Sequence, residues 1–322
     1  MVRLFSFLIW IGLANISYAQ NKGHEPSPSD YTTFTFSMDN DVMFQTDYYY
    51  TQGLYMELIA PFLKKNPINY IFFKPEDRSK IIYGLSFHQQ MHTPLDIKPE
   101  EILYGDRPYA GLLYAKSFMK YANVEKKYLF RSELDLGLIG PSSLAGITQY
   151  KFHELTDNHV PNGWKNQIKE VPIINYNMSL QKGLFENDYS HILAYGKTRI
   201  GTMYNDLEVG FNYRVGYANS FFESIGEDLY LKDKKLQAYL TFSPNARFVA
   251  YNATLQGNML SNTTQSYVIH GEDVERIVYG FRAGSVITYK GISIAYKLHW
   301  QSPEFNNGLN HMYHSTSFLF RF

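Results

Sequence analysis

The chain has 322 residues, with 30 Lys and Arg against 30 Asp and Glu, so it carries no net formal charge. That balance removes the electrostatic footprint expected of a nucleic-acid-binding protein. The absence of cysteine excludes disulfide scaffolds, thiol nucleophiles and thiolate metal sites. Aromatic content is 17%, with 28 Tyr and 23 Phe, far from the composition of a disordered chain, while mean hydropathy is only −0.31.

Residues 1–19 read as an export signal. Arg3 precedes an apolar run from Leu4 to Leu13, and Ser17-Tyr18-Ala19 is a small-residue cleavage pattern, so cleavage is expected after Ala19. The run is too short to span a bilayer, which takes roughly 20 residues. Residues 20–322 then form one domain, with no linker, no low-complexity segment and no apolar stretch of transmembrane-helix length.

The rest of the chain alternates with period two, the signature of strands. Ile81, Tyr83, Leu85 and Phe87 share one face, with Ser86 and His88 on the other. Tyr128, Phe130, Leu134, Leu136 and Leu138 oppose Arg131, Glu133 and Asp135. Ile292, Ile294, Tyr296, Leu298 and Trp300 oppose Ser293, Lys297 and His299. Charges on the inner face of a sandwich would be costly. A closed transmembrane β-barrel accommodates both faces, one in lipid and one in a polar lumen. Alternating Phe318, Phe320 and terminal Phe322 fit a closing strand, and the Tyr excess suits interfacial girdles. The predicted fold is therefore an all-β, antiparallel transmembrane barrel of the bacterial outer membrane.

Twelve strands are expected, at 31–40, 51–60, 80–91, 109–121, 127–139, 173–182, 189–202, 207–219, 236–255, 275–288, 291–301 and 312–322. Ser243-Pro244-Asn245 is read as a bulge within one long strand rather than a turn. External loops fall near 41–50, 92–108, 140–172, 203–206, 256–274 and 302–311. Periplasmic turns are short at 122–126, 183–188 and 289–290, whereas 61–79 and 220–235 are long and have no evident reason in the sequence.

Chemistry concentrates in the external loops. Ser142-Ser143 followed by residues 144–155 predicts a capped short helix, with Gln149 and His153 four apart on one face. Such a pair can orient water or substrate, or be a solvated helix face. Asn40-Asp41 opens the first loop, Asp47 lies within it, and Thr51 opens the next strand. Asn40 is in phase with Phe34, Phe36 and Met38, on the lipid side, where an Asx turn is the plainer alternative to a functional role. Asp106-Arg107 is expected to be a local ion pair shaping its loop.

DNDVMFQTDYYYTQGL, GDRPYAGLLY and GLIGPSSLAGITQYKFHELTDNHVPNGWKNQ resemble the motif blocks of the outer-membrane lipid A 3′-O-deacylases, in the same order. The resemblance implies a twelve-stranded barrel whose active site lies between the outer barrel wall and a helix from an external loop. It implies ester hydrolysis of the 3′-linked acyl or acyloxyacyl chain of lipid A, in lipopolysaccharide of the outer leaflet, assisted by Ca2+. It carries the active site onto Asn40, Asp41, Thr51, Gln149 and His153, with His153 as general base, Gln149 orienting the base or its water, and Asp41 as a ligand of the metal or a support to its ligands, with Asn40 and Thr51 beside it. Where the family pattern has an acidic residue six positions after the histidine, this chain has His159, which puts calcium ligation from that loop in doubt. A pore or a non-catalytic lipid-binding barrel are the competing readings.

Overall fold

A computed structural model describes residues 30–44, 46–75, 81–226, 236–260 and 267–322. The expected signal segment lies outside the described residues. Twelve antiparallel strands close into a barrel in sequence order: β1 (Thr33–Asn40), β2 (Tyr49–Ile59), β3 (Ile81–Thr93), β4 (Ala110–Asn123), β5 (Tyr128–Ile139), β6 (Val171–Glu186), β7 (Ser190–Gly201), β8 (Tyr204–Tyr217), β9 (Leu236–Asn252), β10 (Ile277–Tyr289), β11 (Ile292–Gln301) and β12 (His311–Arg321). β1 closes on β12, pairing Phe36 with Phe318. Among the described residues no helix is long and apolar enough to cross a membrane. The strands do the crossing.

The expected alternation holds. Phe87, Leu136 and Ile294 point outward and are 51%, 41% and 49% exposed. Arg131, Glu133 and Asp135 point into the lumen, where Lys116 reaches Glu133 at 3.2 Å and Asp135 at 3.6 Å, and Arg131 reaches Glu133 at 2.8 Å. Much of the tyrosine excess is also lumenal rather than girdling. The Tyr195 hydroxyl donates to Glu208 at 2.7 Å, and the Tyr50 hydroxyl to Asp39 at 2.8 Å.

Pro244 sits within an unbroken β9, but the expected bulge is not there. Gly210 pairs with Asn245 and Tyr213 with Phe242 in one register, and the shift lies instead at Asn205/Asp206, opposite Val249 and Tyr251. Proline withholds an amide from the ladder without forcing an extra residue into it.

The two long periplasmic connections have different tasks. The described part of the one after β8, residues 218–226, tucks into the lumen, where Phe222 and Ile225 pack on Ile59, Ile82, Phe118, Leu129 and Leu193. This apolar cluster lies inside the periplasmic end, beneath the charged layer. The described part of the one after β2, residues 60–75, lies outside the mouth. Its two short 3-10 turns, Pro61–Lys65 and Pro67–Ile71, lie against the outside of β3 and β4.

The external mouth is also covered. Arg107, 1% exposed, reaches Glu304 at 2.5 Å and the Thr254 hydroxyl at 2.5 Å, and Arg247 reaches Glu304 at 2.9 Å. The expected local Asp106–Arg107 pair is thus corrected. Asp106 accepts from the main-chain amides of Leu95 and Arg107, at 2.6 and 2.7 Å, while the Arg107 guanidinium ties three loops together across the rim.

Candidate active site on the outer barrel wall

Helix α1 spans Ala145–Leu155 in the loop between β5 and β6. Its start differs from the expected serine cap. The capping position is Leu144 in a left-handed conformation (φ 59°), and Ser143 Oγ accepts from the Ala145 amide at 3.3 Å. A 3-10 turn at Pro141–Ser143 aims the helix back over the outside of the barrel.

The helix lies on the lipid-facing side of the wall, and the wall is shaped for it. Gly111 of β4 faces outward, and a Cβ there would sit 2.3 Å from Ser143 Oγ and 2.5 Å from Ala145 Cβ. Gln89 of β3, also outward, donates to the Ser143 carbonyl at 2.8 Å. Met91, outward on β3, is 1% exposed because Ala145, Ile97, Tyr109 and Trp164 bury it.

The helix buries polar residues against the wall. Ala145, Gln149 and His153, spaced four apart, form the buried stripe against the barrel. Ile147 and Leu155, on other faces, are 59% and 76% exposed. The two polar residues of the stripe face protein, while the outward face mixes Ile147, Tyr150 and Leu155 with Lys151 and Glu154.

Asp47 joins this stripe to the first external loop. His153 Nε2 lies 3.4 Å from Asp47 Oδ2, and Gln149 Nε2 donates to Asp47 Oδ1 at 3.3 Å. The Trp164 indole donates to Gln149 Oε1 at 2.7 Å, which fixes the orientation of the Gln149 amide. His153 Nδ1 meets the main-chain carbonyl of His159. A carbonyl can only accept, so Nδ1 carries the proton and Nε2 is the basic nitrogen of the neutral ring.

Asp41 stands at the other end of the same loop and is 2% exposed. Its Oδ2 accepts from the Thr46 hydroxyl at 3.0 Å and the Tyr48 amide at 3.2 Å. Burial, and next the charge of Asp47, push its carboxyl up to about 8. Burial likewise raises Asp47, opposed by His153 and Gln149.

Asn40 keeps its outward phase, and it also makes the Asx turn. Its Oδ1 accepts from the Val42 amide at 2.7 Å and its Nδ2 donates to the Thr51 carbonyl at 3.2 Å. Thr51 occupies a bulge, since Tyr50 pairs with His92 and Gln52 with Met91. The extra residue turns Tyr50 inward and Gln52 outward, and Thr51 Oγ1 reaches the Met91 carbonyl at 3.5 Å. The five residues expected at the site therefore fall in two groups. Asn40, Asp41 and Thr51 belong to the strand ends, Gln149 and His153 to the helix, and Asp47 bridges from the loop.

A model of the family described as outer membrane protein LpxR matches residues 4–322. The chain belongs to the LpxR family of outer-membrane proteins. Among solved structures, LpxR from Salmonella typhimurium is similar with a TM-score of 0.72 at 17% identity, over 89% of this chain and 99% of that one. That likeness is one of fold. The β domain of the Bordetella autotransporter BrkA is more distant, with a TM-score of 0.40 at 8% identity, over 90% of this chain and 97% of that one. No curated protein sequence matches this chain.

In this LpxR-family barrel, Asp47 and Trp164 are the polar partners that sequence reasoning left out of the site. Asp47 was visible as a loop carboxylate, but nothing in its spacing joins it to a helix 102 residues away. Among the described residues no three His, Asp or Glu side chains converge as a metal cluster. Two nearby carboxylates nevertheless suit a hard cation in kind. Asp47 Oδ2 is buried and receives no hydrogen bond, which leaves an anionic oxygen open to a positive partner.

Proposed function

We propose that this protein is an outer-membrane hydrolase that removes the 3′-linked acyl or acyloxyacyl chain of lipid A by ester hydrolysis at the outer-wall site. The observation that carries the reading is the placement of His153. A basic imidazole nitrogen is held on the lipid side of a membrane barrel, buried between the helix that carries it and the wall. An ester presented by a lipid in the outer leaflet reaches such a site from the membrane; a soluble substrate does not.

In this reading His153 Nε2 takes a proton from the attacking water, while the His159 carbonyl holds the ring by Nδ1. Asp47 faces this same nitrogen, so its charge stabilises the imidazolium that forms there until the proton passes to the leaving alcohol. Gln149, locked by Trp164, positions Asp47 beside His153. Ca2+ would be held by Asp41 and Asp47, with Asn40 and Thr51 contributing oxygens at the strand ends. When bound, it supplies a positive charge for the carbonyl oxygen that becomes anionic during attack. The lumen, occupied by Phe222 and Ile225 and filled with paired charges, offers no support for a pore.

The test is mass spectrometry of lipid A from a heterologous outer membrane making the native chain or His153→Ala, with and without a calcium chelator. Loss of the 3′ acyl mass with the native chain alone supports the hydrolase and its base. Chelator-insensitive loss would remove calcium from the mechanism, and unchanged lipid A with a folded barrel would overturn the deacylase reading.

A further inference from the structure

The connection between β2 and β3 is built as a lipid-facing collar, and nothing in the hydrolytic site uses it. Its described part, residues 60–75, climbs the outer wall from the periplasmic rim. Phe72, 5% exposed, packs on Ile81, Met119 and Tyr121. Asn66 Nδ2 donates to Ser117 Oγ at 3.4 Å, the Tyr176 hydroxyl donates to the Ile71 carbonyl at 3.2 Å, and the Phe73 amide donates to that hydroxyl at 3.4 Å. Ser117 and Ser132 point away from the lumen yet are 4% and 0% exposed. Polar residues on the lipid side are tolerated here because the collar covers them.

The outer face of the collar has its own character. Phe62, Tyr70 and Phe73 are 62%, 87% and 69% exposed. Lys64 and Lys65 are exposed or partly so beside them, and the Lys74 ammonium lies 5.4 Å from the Tyr70 ring centre. The whole connection, residues 60–80, holds five basic residues against two acidic ones. Aromatic rings interleaved with lysines are the composition of a membrane–water interface.

Height along the barrel agrees. β4 has 14 residues. At ~3.3 Å per residue and a tilt of ~40° it rises ~35 Å along the membrane normal, about 10 Å more than the apolar band of such barrels. The surplus leaves room for the periplasmic end of β4 at headgroup level, where Phe72 of the collar packs on Tyr121.

We propose that residues 60–75 form an interfacial collar that binds anionic phospholipid of the periplasmic leaflet, its aromatic side chains in the acyl boundary and Lys64, Lys65 and Lys74 on headgroup phosphates. The collar anchors the barrel at a fixed depth on the side opposite its outer-wall site. The proposal depends on the membrane barrel and is independent of the hydrolytic reading.

The test uses the full chain in phosphatidylethanolamine bilayers with and without phosphatidylglycerol. Phe73→Trp is compared with the native chain, whose Trp164 and Trp300, with Trp10 where residues 1–19 are retained, set the background. Quenching of the introduced indole by brominated acyl chains and its protection from iodide are expected; iodide quenching without bromolipid quenching would overturn the collar. The shell of lipid retained by the native chain should be enriched in phosphatidylglycerol, by up to about fivefold for each lysine that meets a phosphate. Lys64→Gln/Lys65→Gln/Lys74→Gln should abolish that enrichment while the barrel stays folded. Equal enrichment in the two chains would overturn the anionic preference. Crosslinks from position 73 to a second copy would overturn the lipid assignment in favour of self-association.

Discussion

His153 Nε2 and Asp47 Oδ2 face each other at 3.4 Å, while His153 Nδ1 is held by a main-chain carbonyl. Two unprotonated acceptors do not face each other stably, so a proton, a water or a cation must mediate this contact. Asp47→Asn keeps an oxygen for Gln149 but removes the charge that supports the imidazolium. Acyl release should fall by about 10²-fold or more, within the range attributed to general acid–base catalysis, with the barrel still folded by heat-modifiable gel mobility. A native rate in Asp47→Asn would leave His153 in place and remove Asp47 from the mechanism.

Gly111 tests whether the helix must touch the wall. A Cβ there would overlap Ser143 Oγ at 2.3 Å and Ala145 Cβ at 2.5 Å, both parts of the structure that launches α1. Gly111→Val should lift the helix start from β4 and separate His153 from the strand-end residues. Hydrolysis should be lost while urea midpoints for the barrel change little, because the β4 ladders to β3 and β5 remain. Retained activity would show that the helix follows the wall less closely than its contacts imply.

Legibility in the sequence follows the range of the interactions. The barrel was readable because alternation is local: each strand declares its lipid and lumen faces within about ten residues. The stripe of Gln149 and His153 was readable because it is a helical spacing. The Arg107 contact was misread because its partners, Glu304 and Thr254, come from loops distant in sequence, whereas Asp106 stood next door. The Thr51 bulge left no local mark, since Tyr-Tyr-Tyr-Thr-Gln-Gly alternates plausibly in either phase. The two long periplasmic connections were visible as lengths, but whether such a segment enters the lumen or wraps the wall depends on where Phe222 and Phe72 find apolar surface.

Glu304 makes the external cap acid-sensitive. Burial would raise its carboxyl, but Arg107 and Arg247 lower it to about 2 from an ordinary value of 4.5. A depressed carboxylate contributes its full stability above pH 4.5 and loses it as pH falls toward 2. The external loops should therefore become protease-sensitive across that window while the strands stay resistant. Glu304→Gln should show the sensitivity already at neutral pH. A flat protease profile from pH 4.5 to 2 would mean that the three-loop tie does not hold the cap.

A pH effect of the opposite sign should lie at Asp41. Its carboxyl is raised to about 8 from 3.8 by burial and then by the charge of Asp47. Between those values the folded loop holds a proton that the unfolded chain releases, so loop stability falls as pH rises through the window. A cation bound by Asp41 and Asp47 must displace that proton. Calcium affinity should therefore increase with pH up to about 8, with protons released on binding at about pH 7. Calorimetry in buffers of different ionisation enthalpy reads that release directly. Asp41→Asn should abolish both the release and the calcium dependence of acyl hydrolysis. Calcium binding without proton release, or unchanged in Asp41→Asn, would move the metal away from this loop.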